Sequence, residues 1–216
     1  MKRIIYPLGI GHNSPVFIDL ARDCGYEVES LYHYNNERTG EFDHGYPIVG
    51  SFDDLFALPT LEGKEFLLTM GDSRIRRQLT ERILAKGGNV PTLIHPTAVV
   101  SRYAKIDSVG CYISCYSFVQ ADSEIEEGTI LLSHVNISHT NKVGKYCFFA
   151  GGTTLGAYTV VEDNVFFGIG CLSISGKVPL IGHDAYIGAG ALLTKEVAPY
   201  SKMVGIPARN IRDNAL

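Results

Sequence analysis

Residues 111–167, written in groups of six, read CYISCY SFVQAD SEIEEG TILLSH VNISHT NKVGKY CFFAGG TTLGAY TVVEDN VFF. The third place holds Ile113, Val119, Ile125, Leu131, Ile137, Val143, Phe149, Leu155, Val161 and Phe167, ten of ten aliphatic or Phe. The first place, two residues earlier, is small or β-branched in every group except the one that begins with Asn141. Ile94, Val100 and Ile106 carry the rhythm upstream, one residue out of frame. Ile181, Ile187 and Leu193 resume it after an irregular stretch over 171–180.

A helix repeats every ~3.6 residues and a strand every two, so a period of six belongs to neither. It is the signature of a parallel β-helix. Each group forms one flat side of a coil, with its large third residue filling the interior. The first residue sits at the corner, where a small side chain fits. Three groups close one coil, so residues about 18 apart stack and bury a continuous column. Cys111 and Cys147 fall on these inward corner places and read as small buried hydrophobes.

Outside the repeat the rhythm alternates between strand and helix. Residues 3–8 form an apolar run, followed by the loop Gly9-Ile10-Gly11-His12-Asn13-Ser14. Ser14-Pro15 reads as an N-cap and first helical residue. Apolar residues at helical spacing follow over 16–24, and Gly25 stops them. A second strand is predicted over 27–32, a turn-rich segment over 35–46, and a third strand over 47–50. Ser51 caps a short helical turn. Residues 65–70 form another apolar run that ends at Gly71-Asp72. Residues 73–86 read as an amphipathic helix with Ile75, Leu79, Ile83 and Leu84 on one face, ended by Gly87-Gly88. Arg74, Arg76 and Arg77 read as a solvated basic helix face, with contact to a diphosphate as the alternative. This order predicts a small parallel sheet with helices packed on it.

Hydrophobic residues make up 45% of the 216 and charged residues 19%, the balance of a globular chain rather than a disordered one. The net charge of −4 argues against a nucleic-acid partner, which needs a basic face. No apolar run approaches the ~20 residues of a membrane span. The basic start followed by about five apolar residues reads as a first strand, not a signal peptide. The five cysteines, Cys24, Cys111, Cys115, Cys147 and Cys171, are odd in number and contain no CxxC pair. That predicts neither a zinc site nor a disulfide framework, but reduced thiols in the cytoplasm.

Two motifs add a family resemblance. Ile-Gly-Ala-Gly-Ala at 187–191 and Val-Gly-Ile-Pro-Ala-Arg at 204–209 stand beside Leu-Ile-His-Pro at 93–96 and the N-terminal β-α-β pattern. Together they resemble the left-handed β-helix sugar acyltransferases of the PglD/NeuD type, over nearly the whole chain. The resemblance implies an α/β Rossmann-like domain over 1–92 that binds a nucleotide sugar. It implies a left-handed parallel β-helix of hexapeptide repeats over 93–216, including a C-terminal tail. It also implies acetyl-CoA as donor, no metal, and a cytoplasmic homotrimer with active sites between subunits.

His139 matches the family's catalytic base. An imidazole titrating near neutrality suits the removal of a proton from an attacking amine or hydroxyl. Two places after the anchor Ile137, it is expected to point outward. Thr140 stands where the family carries an acid, and Phe148 where many relatives carry a second His at the acyl-CoA end. His134 is a candidate to take over part of these roles; its plainer reading is a solvated residue on a coil face. By the same resemblance Phe148, Ala157, Ile169, Gly170 and Ala189 lie along the acetyl-CoA groove, and Arg209 pairs with a CoA phosphate. Backbone N–H groups near Gly151-Gly152 or Ala157 are expected to face the thioester oxyanion. Ile10, Gly11 and His12, with Gly71, are expected to hold the nucleotide sugar. His33-Tyr34 replaces the acidic pair that relatives place after the second strand.

The activity implied is acetyl-CoA-dependent N-acetylation of a nucleotide-linked amino sugar in bacterial surface-glycan or O-antigen biosynthesis. Two alternatives stand beside it: a sugar O-acetyltransferase of the sialic-acid type, and a non-catalytic trimer that binds a sugar nucleotide.

Overall fold

The structure is a computed structural model and describes residues 3–211. It divides into two compact units, one ending at Leu93 and one beginning at Ile94.

The first unit runs β1 (Arg3–Leu8), α1 (Ser14–Asp23), β2 (Tyr26–Val28), β3 (Leu31–His33), β4 (Phe42–Asp43), β5 (Tyr46–Ser51), α2 (Phe52–Ala57), β6 (Glu65–Leu68) and α3 (Ser73–Ala85). β1 lies in the middle, parallel to β2 and β3 on one side and to β6 on the other. β5 extends the sheet parallel to β3, and β4 returns antiparallel to β5. The expected second strand is thus split in two, with a one-residue register shift at Leu31/Tyr32.

Local chemistry sets the helix ends. Ser51 and Asp54 form a reciprocal capping box, as the sequence suggested for the start of α2. The side chain of Asp72 accepts from the N–H groups of Arg74 and Ile75 and starts α3. Gly88 ends it where no side chain fits: a Cβ there would meet Ile83 at 2.8 Å and Leu61 at 3.0 Å.

Two expectations are corrected. Ser14 is the first residue of α1, not its N-cap; Asn13 holds that place, and no side chain caps the helix. The Ser14 hydroxyl is engaged upstream, donating to Gly9 O and accepting from Gly11 N–H. In α3 the buried stripe is Arg76, Leu79, Thr80 and Ile83, while Ile75 and Leu84 stay 43% and 41% exposed. The stripe follows i, i+3, i+4, i+7, and Arg76 enters it because its guanidinium finds carbonyl partners inside.

The second unit is a stack of coils whose two-residue strands form three sheets, parallel except for the final Lys202–Val204/Arg209–Asn210 pairing. Phe118, Asn136 and Thr154 pair in succession 18 residues apart, as do Ile113, Leu131, Phe149 and Phe167. All ten third-place residues are buried, none more than 2% exposed. All ten first-place residues are buried too, and the hydroxyls of Ser117, Ser123, Thr129 and Thr153 bridge coils. Ser117, Ser123 and Thr129 each donate to a carbonyl 15 residues on and accept an N–H 18 residues on.

The chain turns at the sixth place of each group, which the hydropathy pattern does not mark. Residues 116, 122, 128, 134, 140, 146, 152, 158, 164 and 170 all have left-handed backbone, with φ between 54° and 71°. The irregular stretch is a coil two residues longer: Val161 pairs with Ile181, and Phe167 with Ile187. The upstream frame shift is one extra residue, since Val100 pairs with Val119 and Ile106 with Ile125.

Candidate functional sites in the α/β unit and on the β-helix corners

In the first unit the loop after β1 and the loop after β6 face each other across a cavity of about 410 Å³. Parallel neighbours end at the same edge, so their following loops converge there. The cavity is lined by Ile10, Gly11, His12 and Gly71, the four residues expected from the sequence. Tyr34, Phe52, Thr69, Met70 and Ile75 complete most of the wall.

The two loops are tied to each other. Thr69 Oγ1 donates to Gly9 O at 2.7 Å. Gly9 has φ +96°, and a Cβ there would press on Met70 and Thr69 at 3.0 and 3.1 Å. Arg76, 2% exposed, donates from Nη1 to Gly71 O at 2.9 Å and to Met70 O at 3.3 Å. The arginine cluster is therefore not a single solvated face: Arg76 is buried against the Met70 and Gly71 carbonyls, whereas Arg74 is exposed.

The His33-Tyr34 pair divides its roles. His33 is buried, with Nδ1 bonded to Asn35 Oδ1 at 2.9 Å. Tyr34 is 63% exposed, lines the cavity, and rests its ring 4.2 Å from that of His33. No described residue lining this cavity carries a carboxylate.

On the β-helix, His139 is half-buried and lies outside the interior column, as its place in the repeat predicts. Its Nδ1 is 3.1 Å from Thr140 Oγ1. Its ring meets that of Tyr158 edge-on, with centroids 5.1 Å apart. Tyr158 stacks 18 residues after Thr140, so the coil period itself brings it there. That spacing was available in the sequence, although Tyr158 was not singled out from it.

His134 belongs to another corner column. It is exposed, and its ring lies 5.3 Å from that of Tyr116. The column continues through Gly152, Gly170 and Gly190, all with left-handed backbone. Ile169, Gly170 and Ala189 are exposed along it. A Cβ on Gly152, Gly170 or Gly190 would meet nothing within 4 Å, so three successive coils present a bare backbone edge.

Two of the expected oxyanion donors, at Gly152 and Ala157, are otherwise engaged. Gly152 N–H donates to Ser133 O at 3.0 Å, and Ala157 N–H to Ser175 Oγ at 3.0 Å. Coil stacking uses these groups because a buried N–H needs a partner. Ala157 itself is 2% exposed. Phe148 is 8% exposed and stacks on Phe166 at 5.4 Å, which stacks on Tyr186 at 4.8 Å. Arg209 is exposed on the last short strand, Arg209–Asn210, and donates from Nη1 to Ala208 O at 3.1 Å.

Among the described residues no group of three or more His, Cys, Asp and Glu is arranged to hold a metal ion. No helix among them is long and apolar enough to cross a membrane.

Comparison with known proteins places this architecture. The chain is 29% identical over 173 residues to GDP-perosamine N-acetyltransferase of Escherichia coli O157:H7, spanning 79% of this chain and 74% of that protein. The acetyltransferase domain of PglB from Neisseria gonorrhoeae FA1090, in complex with acetyl coenzyme A, matches with a TM-score of 0.86 and 27% identity, covering 97% of this chain and 100% of that one. PerB from Caulobacter crescentus, in complex with CoA and GDP-perosamine, matches with a TM-score of 0.85 and 26% identity over 95% and 96% of the two chains. No protein-family model matches the chain. The repeating parallel sheets after a short α/β region fit a left-handed β-helix. On sequence and fold together, the chain is similar to hexapeptide-repeat sugar acyltransferases of the PglD/NeuD type.

Proposed function

We propose that the protein transfers an acetyl group from acetyl-CoA to the amine of a nucleotide-linked sugar, with His139 as general base. The observation that carries this reading is the imidazole held outside the coil, with Nδ1 against Thr140 Oγ1 and no partner for Nε2 among the described residues. The neutral amine attacks the thioester carbonyl, its proton passes to Nε2, and CoA leaves as the thiol after taking that proton. The products are an acetamide and free CoA.

The α/β unit is read as a Rossmann-like nucleotide-sugar domain over 1–92. Ile10, Gly11, His12 and Gly71 are read as holding the nucleotide in the cavity described above, and His134 as a further substrate contact. Acetyl-CoA is read as lying along the β-helix domain over 93–216. The bare edge at Gly152, Gly170 and Gly190 fits an extended pantetheine arm, with Ile169 and Ala189 beside it. Ala157 and Phe148 support this groove as packed residues, and Arg209 meets a CoA phosphate. The assembly is read as a homotrimer with sites between neighbouring β-helices. Exposed Val99, Phe118 and Leu172 on one outer sheet face support it. Its role is read, as the sequence resemblance implies, as a cytoplasmic step in bacterial surface-glycan or O-antigen synthesis.

The test is incubation with acetyl-CoA and a panel of 3-amino and 4-amino nucleotide sugars, followed by mass detection. The expected product is heavier by one acetyl group and resists mild base, as an amide does. His139→Ala is expected to lower kcat by roughly 10²–10⁴. An unchanged rate removes His139 from the chemistry, and a base-labile product shows a hydroxyl acceptor instead.

A further inference from the structure

We propose that Thr140 is a positioning residue: its hydroxyl accepts from the Nδ1–H of His139 and so leaves Nε2 as the proton acceptor. The proposal rests on the reading of His139 as general base. It adds how this chain orients that base without a neighbouring acid.

Two independent observations carry it. The first is contact. Nδ1 of His139 lies 3.1 Å from Thr140 Oγ1, within hydrogen-bond reach. A neutral imidazole has one donor and one acceptor nitrogen, so a partner that accepts at Nδ1 assigns the lone pair to Nε2. On the other side, the ring of Tyr158 meets His139 at 89° and 5.1 Å, which limits rotation of the imidazole.

The second is the backbone. Thr140 has φ 58°, in the left-handed region. Ten described non-glycine residues share that conformation, and Thr140 is the one β-branched residue among them. Branching at Cβ makes this region least favourable. The same sixth place elsewhere holds Gly, Asp, Asn, His or Tyr. Turn geometry therefore does not call for Thr at 140, whereas an acceptor next to His139 does. Strained residues held in place by the surrounding fold concentrate at functional sites.

Two variants separate this role from a structural one. Thr140→Gly suits the left-handed turn and removes the hydroxyl. It is expected to keep or raise Tm while kcat falls about tenfold or more, as with loss of a residue that orients a catalytic imidazole. KM for both substrates should stay within about twofold. Thr140→Ser keeps the hydroxyl and is expected to retain most of the parental kcat. Nitrogen NMR of labelled histidine in the intact protein should find His139 protonated at Nδ1 in the parent, with that preference reduced in Thr140→Gly.

Parental kcat in a folded Thr140→Gly protein overturns the proposal, as does protonation at Nε2 in the parent. His139→Ala is run beside them. If it loses activity and Thr140→Gly does not, the base stands and the positioning role falls. If His139→Ala keeps full rate, the reading of the base falls, and the nitrogen signals still decide the Thr140 contact.

Discussion

Asn141 joins its own coil to the next: its Oδ1 accepts the N–H of Thr159 at 2.8 Å, while its Nδ2 donates to Ser138 O at 2.7 Å. Both ends of the amide are satisfied in a side chain that is 0% exposed. At Ser117, Ser123, Thr129 and Thr153 a hydroxyl at this place bridges coils, so the exception in the repeat performs the same task with a longer group. Asn141→Ala leaves the buried Thr159 N–H without its partner, while Ser138 O keeps the Ser123 hydroxyl, and is expected to cost about 2 kcal/mol. Equilibrium denaturation checks it; a loss below about 1 kcal/mol would show that water or a shifted backbone replaces the amide.

Arg76 holds the Met70–Gly71 edge of the α/β cavity from inside. Arg76→Met keeps much of the apolar stem and removes both bonds to the carbonyls. Its expected outcome is a several-fold rise in KM for the nucleotide sugar, with KM for acetyl-CoA nearly unchanged. The thermal shift produced by a nucleotide sugar should shrink in parallel. Equal changes in both KM values would mean that the substitution acts on the whole fold.

The thiols differ in reach. Cys111, Cys147 and Cys171 are at most 1% exposed, and burial pushes the Cys171 thiol above its ordinary range. Cys24 and Cys115 are partly exposed. A thiol reagent at neutral pH is expected to label Cys24 and Cys115 in the native protein and the other three after unfolding. Fast native labelling of Cys147 would contradict the packing of the inner corner.

Tyr26 sets an alkaline limit. Burial, then the neighbouring Glu65 carboxylate, raise its phenol to about 12, against a smaller opposing effect of Arg3. Between the ordinary tyrosine range near 10 and that value, the folded chain holds a proton that the unfolded chain has lost. Its contribution to stability is therefore present at neutral pH and declines as pH rises from about 10 to about 12. Tyr6 and Tyr32 are raised too, by burial first, so phenolate absorbance should show a late-titrating set of tyrosines whose component near 12 is missing in Tyr26→Phe.

The architecture was legible because it repeats. Ile113, Leu131 and Phe149 occupy equivalent places in successive coils, so one local rule, stated ten times, averages out noise. His139 was legible for the same reason: its place in the group of six puts it outside the coil. The inward arginine and the exposure of Ile75 and Leu84 were not legible. Helical periodicity identifies an apolar face but not how wide a stripe the sheet covers. Of the donors expected near Gly151-Gly152 or Ala157, those of Gly152 and Ala157 are consumed by stacking, and a single coil read alone does not show its neighbours.

The order of residues was enough to dictate a coiled prism with ten interior anchors, because that pattern needs no more than local geometry and burial of apolar side chains. Which residues meet across coils and loops was decided by the tertiary structure alone. Tyr158 reaches His139 through the stacking of one coil on another. Gly11 and Gly71 share a cavity because β1 and β6 are parallel neighbours ending at one edge. Such meetings depend on strand adjacency and on one- or two-residue insertions, which set the register between distant segments and leave no periodic mark on the chain.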